Sequence, residues 1–476
     1  MGKCRAAGEQ EIFGLKFPAP MSAPGVFEHG VGAVEGGFEG VGPGGRGRFA
    51  RAGGERGGFA GGDGGGPGFD GRVSRQDEAD EGHGGDDEEV FHACWGSSDR
   101  ATPGGLKIAL VHYSYAPVIG GVEIVLAAHA RLFAGHGHEV TVICRQGVSD
   151  DPRIRVERLG EKVDAAALEG WLAGQEVVFL HNVTTMPFDR ALTAALGRAA
   201  ERLAGVRFVA WIHDLAAGHP DYAIAADDEL LARAHPRYEY VAVSELRRRQ
   251  WEALTGARSR VIPNGLDPAR VLGLTARVAE LAARHALLER AVVLLHPTRL
   301  LRRKNVELGL AVTAALQAAG HSCAYLVTGP PDPHNAAARD YAAELRTLRA
   351  RLGLESDALF LHESAAVEEG DLASLYALAD ALFFPSRQEG FGLPVLEAAL
   401  HRLPIFCAAI EPLDTLLAHG VTLFALDADP AQIARAIAAR LSAEDAWSAR
   451  RQVRRDYAWG AVYRNYLAPL LASPPS

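Results

Sequence analysis

Residues 386–397, SRQEGFGLPVLE, constrain the fold more than any other stretch of this chain. The preceding ALADALFFPS is an apolar run ending in Pro-Ser, as expected of a buried strand leaving a sheet. The following LPVLEAALHR has apolar positions at helical spacing. Strand, glycine turn and helix therefore succeed one another. Gly390 and Gly392 let backbone amides turn outward at the helix start, where free N–H groups and the helix dipole favour a phosphate. Glu389 stands before the turn and Glu397 within the helix. Eight helical residues would separate them by roughly 12 Å. Paired glycosidase carboxylates stand about 5 to 9.5 Å apart, so that chemistry does not fit. Two hydroxyl-binding groups at opposite ends of a diphosphate do fit, and a nucleotide-sugar has that shape. The bland alternative is an ordinary turn with two exposed glutamates.

EGFGLPVLE resembles the Glu-x7-Glu element of the retaining family-4 glycosyltransferases. The resemblance implies an α/β, GT-B fold of two Rossmann-like domains facing a cleft. It implies that Glu389 contacts the transferred sugar and Glu397 the ribose, with the amides of Gly390, Phe391, Gly392 and Leu393 near the diphosphate. Three further stretches carry it. YAPVIGGVE resembles the family's first loop, where Gly120 and Gly121 would face the donor diphosphate and acceptor; a plain tight turn is the alternative. In RLLRRK, Arg299 and Lys304 have the spacing of two family cations on the diphosphate, with Thr298 where the family often has Gly. Fixed positive charge there would stabilise the departing phosphate. Arg302 and Arg303 blur which cation is used, leaving Lys304 the firmer of the two assignments, and a basic surface loop is the alternative. His213, just past a strand end in RFVAWIHD, falls at the family's position for a histidine near the reaction centre. His181 lines the same edge without a matching motif.

Composition separates the chain into a tail and a folded part. Residues 1–105 hold 30 of the 53 glycines, with 17 acidic and 10 basic residues, and so carry −7 of the net −10. Such a segment buries too little apolar surface to offset the entropy of ordering, and a disordered acidic tail is expected. It is either a regulatory arm or sequence upstream of a natural start near Leu106, the latter being favoured. No charged start followed by an apolar core marks a secretory signal. The remainder, near −3, is too close to neutral for an electrostatic nucleic-acid binder. No run of 18 apolar residues appears, so no transmembrane helix is expected. Five scattered cysteines without CxxC spacing argue against metal and disulfides and fit a reducing cytosol.

The first half should open with a βαβ unit: a strand over 108–112, a helix over 122–133 and a strand over 138–144. Further strands are expected near 176–180, 207–213, 240–244 and 260–264. Three consecutive arginines in SELRRRQW point around a helix, so a solvated helix is favoured over a lipid-binding face. In the second half, strands are expected at 323–330 and 358–363. By resemblance, Thr328, Gly329 and the backbone around His362 would bracket the base. The Pro-rich GPPDPHN loop leaves base identity open. DYAWGAVYRNYLAPLLA reads as an amphipathic helix that, by resemblance, crosses back onto the first domain. The expected limits are a tail over 1–105, an acceptor-side domain over 106–270, a nucleotide-sugar domain over 271–454 and the return helix over 455–476.

The expected activity is hexosyl transfer with retention, from a GDP-mannose or UDP-glucose type donor to a hydroxyl of a small soluble acceptor. No cofactor or metal is called for; peripheral membrane contact is the less favoured reading, and the oligomeric state stays open. Rival readings are a nucleotide-sugar epimerase, a phosphorylase on the same fold, or a binding protein on a decayed scaffold. No pyridoxal-phosphate motif is visible, and intact Glu389, Glu397, Lys304 and His213 argue against decay.

Overall fold

A computed structural model describes residues 105–217, 219–224, 228–331, 336–364 and 367–473. Except for Gly105, the glycine-rich acidic stretch over 1–105, with Cys4 and Cys94, lies outside the described residues. Two all-parallel sheets dominate. The first comprises β1 (Lys107–Val111), β2 (Glu139–Cys144), β3 (Ile154–Arg158), β4 (Val177–His181), β5 (Arg207–Ile212), β6 (Tyr238–Ala242) and β7 (Arg260–Val261), in the order 3-2-1-4-5-6-7. The second comprises β8 (Val292–His296), β9 (Cys323–Val327), β10 (Ala358–Phe360), β11 (Ala381–Phe384), β12 (Ile405–Ala408) and β13 (Val421–Phe424), in the order 10-9-8-11-12-13. Central strands such as β4 and β8 are buried along their whole length, because helices cover both faces of a parallel sheet. Their sequences, VVFLH and VVLLH, are accordingly continuous apolar runs.

Each sheet reverses its strand order once, between β1 and β4 and between β8 and β11. At such a switch point the loops beyond adjacent carboxyl ends diverge and leave a crevice for a ligand. The expected strands are present with trimmed ends. β1 stops at Val111, leaving His112 in the loop, and β10 is three residues long before a 3-10 turn over Leu361–Glu363. Two edge strands, β3 and β13, carry no sequence expectation. β3 reads IRVER, with three of five residues charged, as suits a strand paired along only one edge.

The carboxyl-terminal segment packs on the first sheet. A helix over Asp445–Asp456 leads to Trp459–Val462 and on through Tyr463–Leu467 to Ala468–Ala472. Trp459, Val462, Leu467 and Leu470 join the core that holds Ile108, Phe179 and Trp211. Trp459 donates its backbone N–H to Leu266, and its ring fills the space where Gly265 would otherwise carry a Cβ. Arg207 reaches across to the carbonyls of Leu470 and Ser473. The second core begins with Ala269 and Leu274. Cys144, Cys323 and Cys407 are buried free thiols. Among the described residues no helix is long and apolar enough to cross a membrane.

Candidate functional site

At the carboxyl edge of the first sheet, a cavity of about 640 Å³ is lined by His112, Gly121, Glu123, Asn182, His213 and Asp214, among others. His213 follows β5 directly and is buried. Its Nε2 lies 3.1 Å from Nδ1 of His181, the last residue of β4. Burial, with His129 and His112 nearby, pushes the His213 pKa down to about 3, so the ring is neutral at physiological pH. Asn182 accepts from the amides of both His213 and Asp214, at 3.1 and 2.9 Å. Arg247 donates to the His213 carbonyl and, at 2.6 Å, to the Asp214 carboxylate. The helix expected to be merely solvated thus uses one of its three arginines to hold the His213 loop. Arg248 does stay on the surface, between Glu245 and Glu252.

Gly120 caps the Gly121–Gly135 helix in an extended conformation open to any residue. A Cβ there would strike the Glu123 carboxylate, whereas Gly121 has open space around it. Glu123 itself escaped sequence reasoning. It accepts from Ser114 Oγ at 2.6 Å and lies 3.6 Å from His112 Nε2, whose Nδ1 is 2.7 Å from the His181 carbonyl. The signal was present, since a glutamate two residues after a Gly-Gly turn falls in the first turn of the following helix.

A second cavity, of about 820 Å³, opens at the carboxyl edge of the second sheet and is lined by Arg299, Thr328, Gly329, His362, Leu393 and Glu397, among others. Arg299 is exposed and, among the described residues, no hydrogen bond or ion pair engages its side chain. Glu397 accepts from the Tyr376 hydroxyl at 2.6 Å. Burial and that carboxylate raise the Tyr376 pKa, which keeps the phenol a donor. Tyr376, stacked on His401 at 5.1 Å, is a second residue that sequence reasoning missed, because it lies on another helix.

The helix after the turn spans Leu393–Leu400, capped by Gly392 at φ +106°. Few side-chain-bearing residues adopt that φ, and a Cβ would come within 2.5 Å of Leu413. Gly392 is therefore required, whereas Gly390 is exposed with nothing crowding it. Phe391 and Leu393 are exposed. Since the helix starts only at Leu393, the roughly 12 Å separation derived from eight helical residues does not apply to Glu389 and Glu397.

Lys304 and Glu389 are brought together in an ion pair. Lys304 Nζ lies 2.5 Å from Glu389 Oε1, with the side chains 13% and 8% exposed. Arg303 stands 3.6 Å from Glu389 Oε2, while Arg302 turns away to Glu344. Arg299 thus faces the second cavity with Glu397, and Lys304 is coupled to Glu389. Among the described residues no group of three or more His, Cys, Asp or Glu side chains is arranged to hold a metal.

Two all-parallel sheets, each with a crevice at its switch point, define an α/β fold class, and comparison with known proteins narrows it. The family model described as "Glycosyl transferases group 1" matches residues 279–458, and that described as "Glycosyltransferase Family 4" matches residues 119–270. The chain belongs to the group 1, family-4 glycosyltransferases, with their GT-B fold. The O-antigen chain mannosyltransferase RfbU of Salmonella typhimurium is 37% identical over 81 residues, 17% of this chain and 22% of that protein. The D-inositol 3-phosphate glycosyltransferase of Salinispora arenicola is 27% identical over 358 residues, 67% of this chain and 78% of that protein. The chain thus spans about a fifth of the first relative's length and most of the second's. The crystal structure of Anabaena HepE in complex with UDP and glucose is 18% identical, covers 77% of this chain and 100% of that one, and superposes with a TM-score of 0.32.

Proposed function

We propose that this protein transfers a hexosyl group from a nucleotide-sugar to an acceptor hydroxyl with retention of anomeric configuration. One observation carries the reading: Arg299 and Glu397 line one cavity at the second sheet's switch point, beside the helix whose start Gly392 shapes. A helix N-terminus and a free guanidinium suit a diphosphate, and a carboxylate at the far side suits a ribose. Glu397, held by Tyr376, is assigned the ribose. Arg299, Lys304 and the amides of residues 390–393 are assigned the diphosphate. Glu389 is assigned the transferred sugar, and neutral His213, with Gly120 and Gly121, the acceptor side of the reaction centre.

With Glu389 assigned to hold the transferred sugar, no carboxylate is assigned as a covalent nucleophile. The reading is therefore front-side substitution. The bond from the anomeric carbon to the diphosphate oxygen breaks, the acceptor oxygen bonds to the same face, and the acceptor proton passes to the departing diphosphate. Cations at the diphosphate stabilise the charge that develops there. The units over 106–270 and 271–454 are proposed as acceptor and donor domains, joined by the return segment over 455–476. Free thiols at Cys144, Cys323 and Cys407 fit a reducing cytosol, which we propose as the site of action.

The test is a donor screen, by thermal shift and by release of nucleotide diphosphate, across GDP- and UDP-sugars with and without sugar acceptors. Acceptor-dependent release from one donor supports transfer. Isomerised donor without any acceptor would instead mark an epimerase, and dependence on inorganic phosphate a phosphorylase. Binding of every donor without turnover would leave only a binding protein.

A further inference from the structure

The first cavity carries an aromatic cluster. Phe188 is 61% exposed although large and apolar. It meets Tyr113 edge-on with ring centroids 5.5 Å apart, and Tyr222 at 5.9 Å. All three line the cavity. An aromatic ring fixed by two aromatic neighbours, yet left open, presents an apolar surface with a negative face to whatever enters. The C–H face of a pyranose is apolar and faintly positive, and complements it.

The polar groups around this platform are short of usable positive charge. Among the described residues lining the cavity, the carboxylates are Glu123, Asp189 and Asp214, and the permanent cation is Arg145. Arg145 is consumed by the Asp189 carboxylate, which Nε reaches at 2.7 Å, and by the Glu161 carbonyl. A phosphate would have to displace the Asp189 carboxylate to reach Arg145, and would face Glu123 and Asp214. Hydroxyl groups would find acceptors in both. Glu123 gives one carboxylate oxygen to Ser114, and Asp214 one to Arg247, each keeping the other.

We propose that this cavity takes the acceptor as an uncharged saccharide, with a pyranose ring against Phe188 and hydroxyls on Glu123 and Asp214, and rejects phosphorylated acceptors. The proposal rests on the transferase reading above for calling the occupant an acceptor.

The experiment pairs each neutral sugar with its phosphate: methyl mannoside and methyl glucoside against mannose 6-phosphate and glucose 6-phosphate. Binding to the full chain with UDP or GDP present is read by ligand-observed NMR, and transfer by diphosphate release. The neutral sugars are expected to bind and react in preference to the phosphates. Phe188→Ala should weaken neutral-sugar binding and raise the acceptor KM at least about fivefold, and Phe188→Trp should restore both. Asp189→Asn keeps a side-chain oxygen for the Leu192 amide while releasing Arg145. It should move the kcat/KM ratio of neutral to phosphorylated sugar roughly tenfold toward the phosphate. Tighter binding of the phosphates by the unaltered protein, indifference to Phe188→Ala, or no binding of either sugar would overturn the proposal. Donor turnover confined to non-carbohydrate acceptors would overturn it while leaving the transferase reading intact. Phe188-dependent binding of neutral sugars without any donor turnover would do the reverse.

Discussion

Glu389→Gln removes the charge that occupies Lys304 while keeping the side chain's shape. Lys304 Nζ lies 2.5 Å from Glu389 Oε1, and both side chains are largely shielded from solvent. Arg303 adds a weaker contact at 3.6 Å, and the Phe384 ring lies 5.3 Å below the ammonium. If Lys304 serves the donor diphosphate, the phosphate must take it from Glu389. A hydrogen bond between charged groups contributes about 1.5–3 kcal/mol. The glutamine amide retains part of that, so the competition removed is nearer 1–2 kcal/mol, a factor of roughly 5–30. Free UDP or GDP is therefore expected to bind up to about 30-fold more tightly to Glu389→Gln. Turnover should fall at the same time, because a group placed at the transferred sugar acts mainly in the transition state. Titration calorimetry with the diphosphate, set beside steady-state turnover, makes the comparison. A diphosphate Kd weakened tenfold, or turnover unchanged, would refute the assignment of Lys304 and Glu389.

Glu397→Ala should weaken donor and free diphosphate alike, by about 1.5–3 kcal/mol or roughly 10- to 150-fold, since a ribose contact persists in ground and transition states. Calorimetry showing unchanged nucleotide affinity would remove Glu397 from that role. Trp459→Ala should cost about 3–5 kcal/mol in denaturant unfolding, because the ring is 4% exposed within the first sheet's core; a loss below about 1 kcal/mol would contradict that packing. Burial pushes His129, His213 and His296 down to about 3, against an unfolded value near 6.5. The unfolded chain alone binds those protons between the two values, so stability is complete above pH 6.5 and lost on acidification. One unit below 6.5 the loss is about 1 kcal/mol per histidine. A melting temperature flat between pH 7.5 and 5.5 would show that these histidines are not held neutral.

The sequence by itself determined what depends on neighbours along the chain. Continuous apolar runs such as VVFLH and VVLLH mark strands buried on both faces, and their alternation with helices requires parallel sheets. Glycine at 392 marks a positive-φ turn at a helix start, and the structure places it at +106°. Edge strand β3 went unread although IRVER alternates apolar and charged residues, because five residues are too short a run to stand out without the β2 pairing that fixes them. The side-chain partnerships were decided only by tertiary structure. Lys304 and Glu389 are 85 residues apart, and Arg247 and Asp214 33. Tyr376 and Glu397 are 21 residues apart on separate helices. Such pairs form because parallel strands bring every carboxyl-end loop to one edge, and composition and periodicity carry no record of which loops become neighbours there. Backbone preference is local and can be read from a string of residues; the charge that a carboxylate meets is set by distance in space.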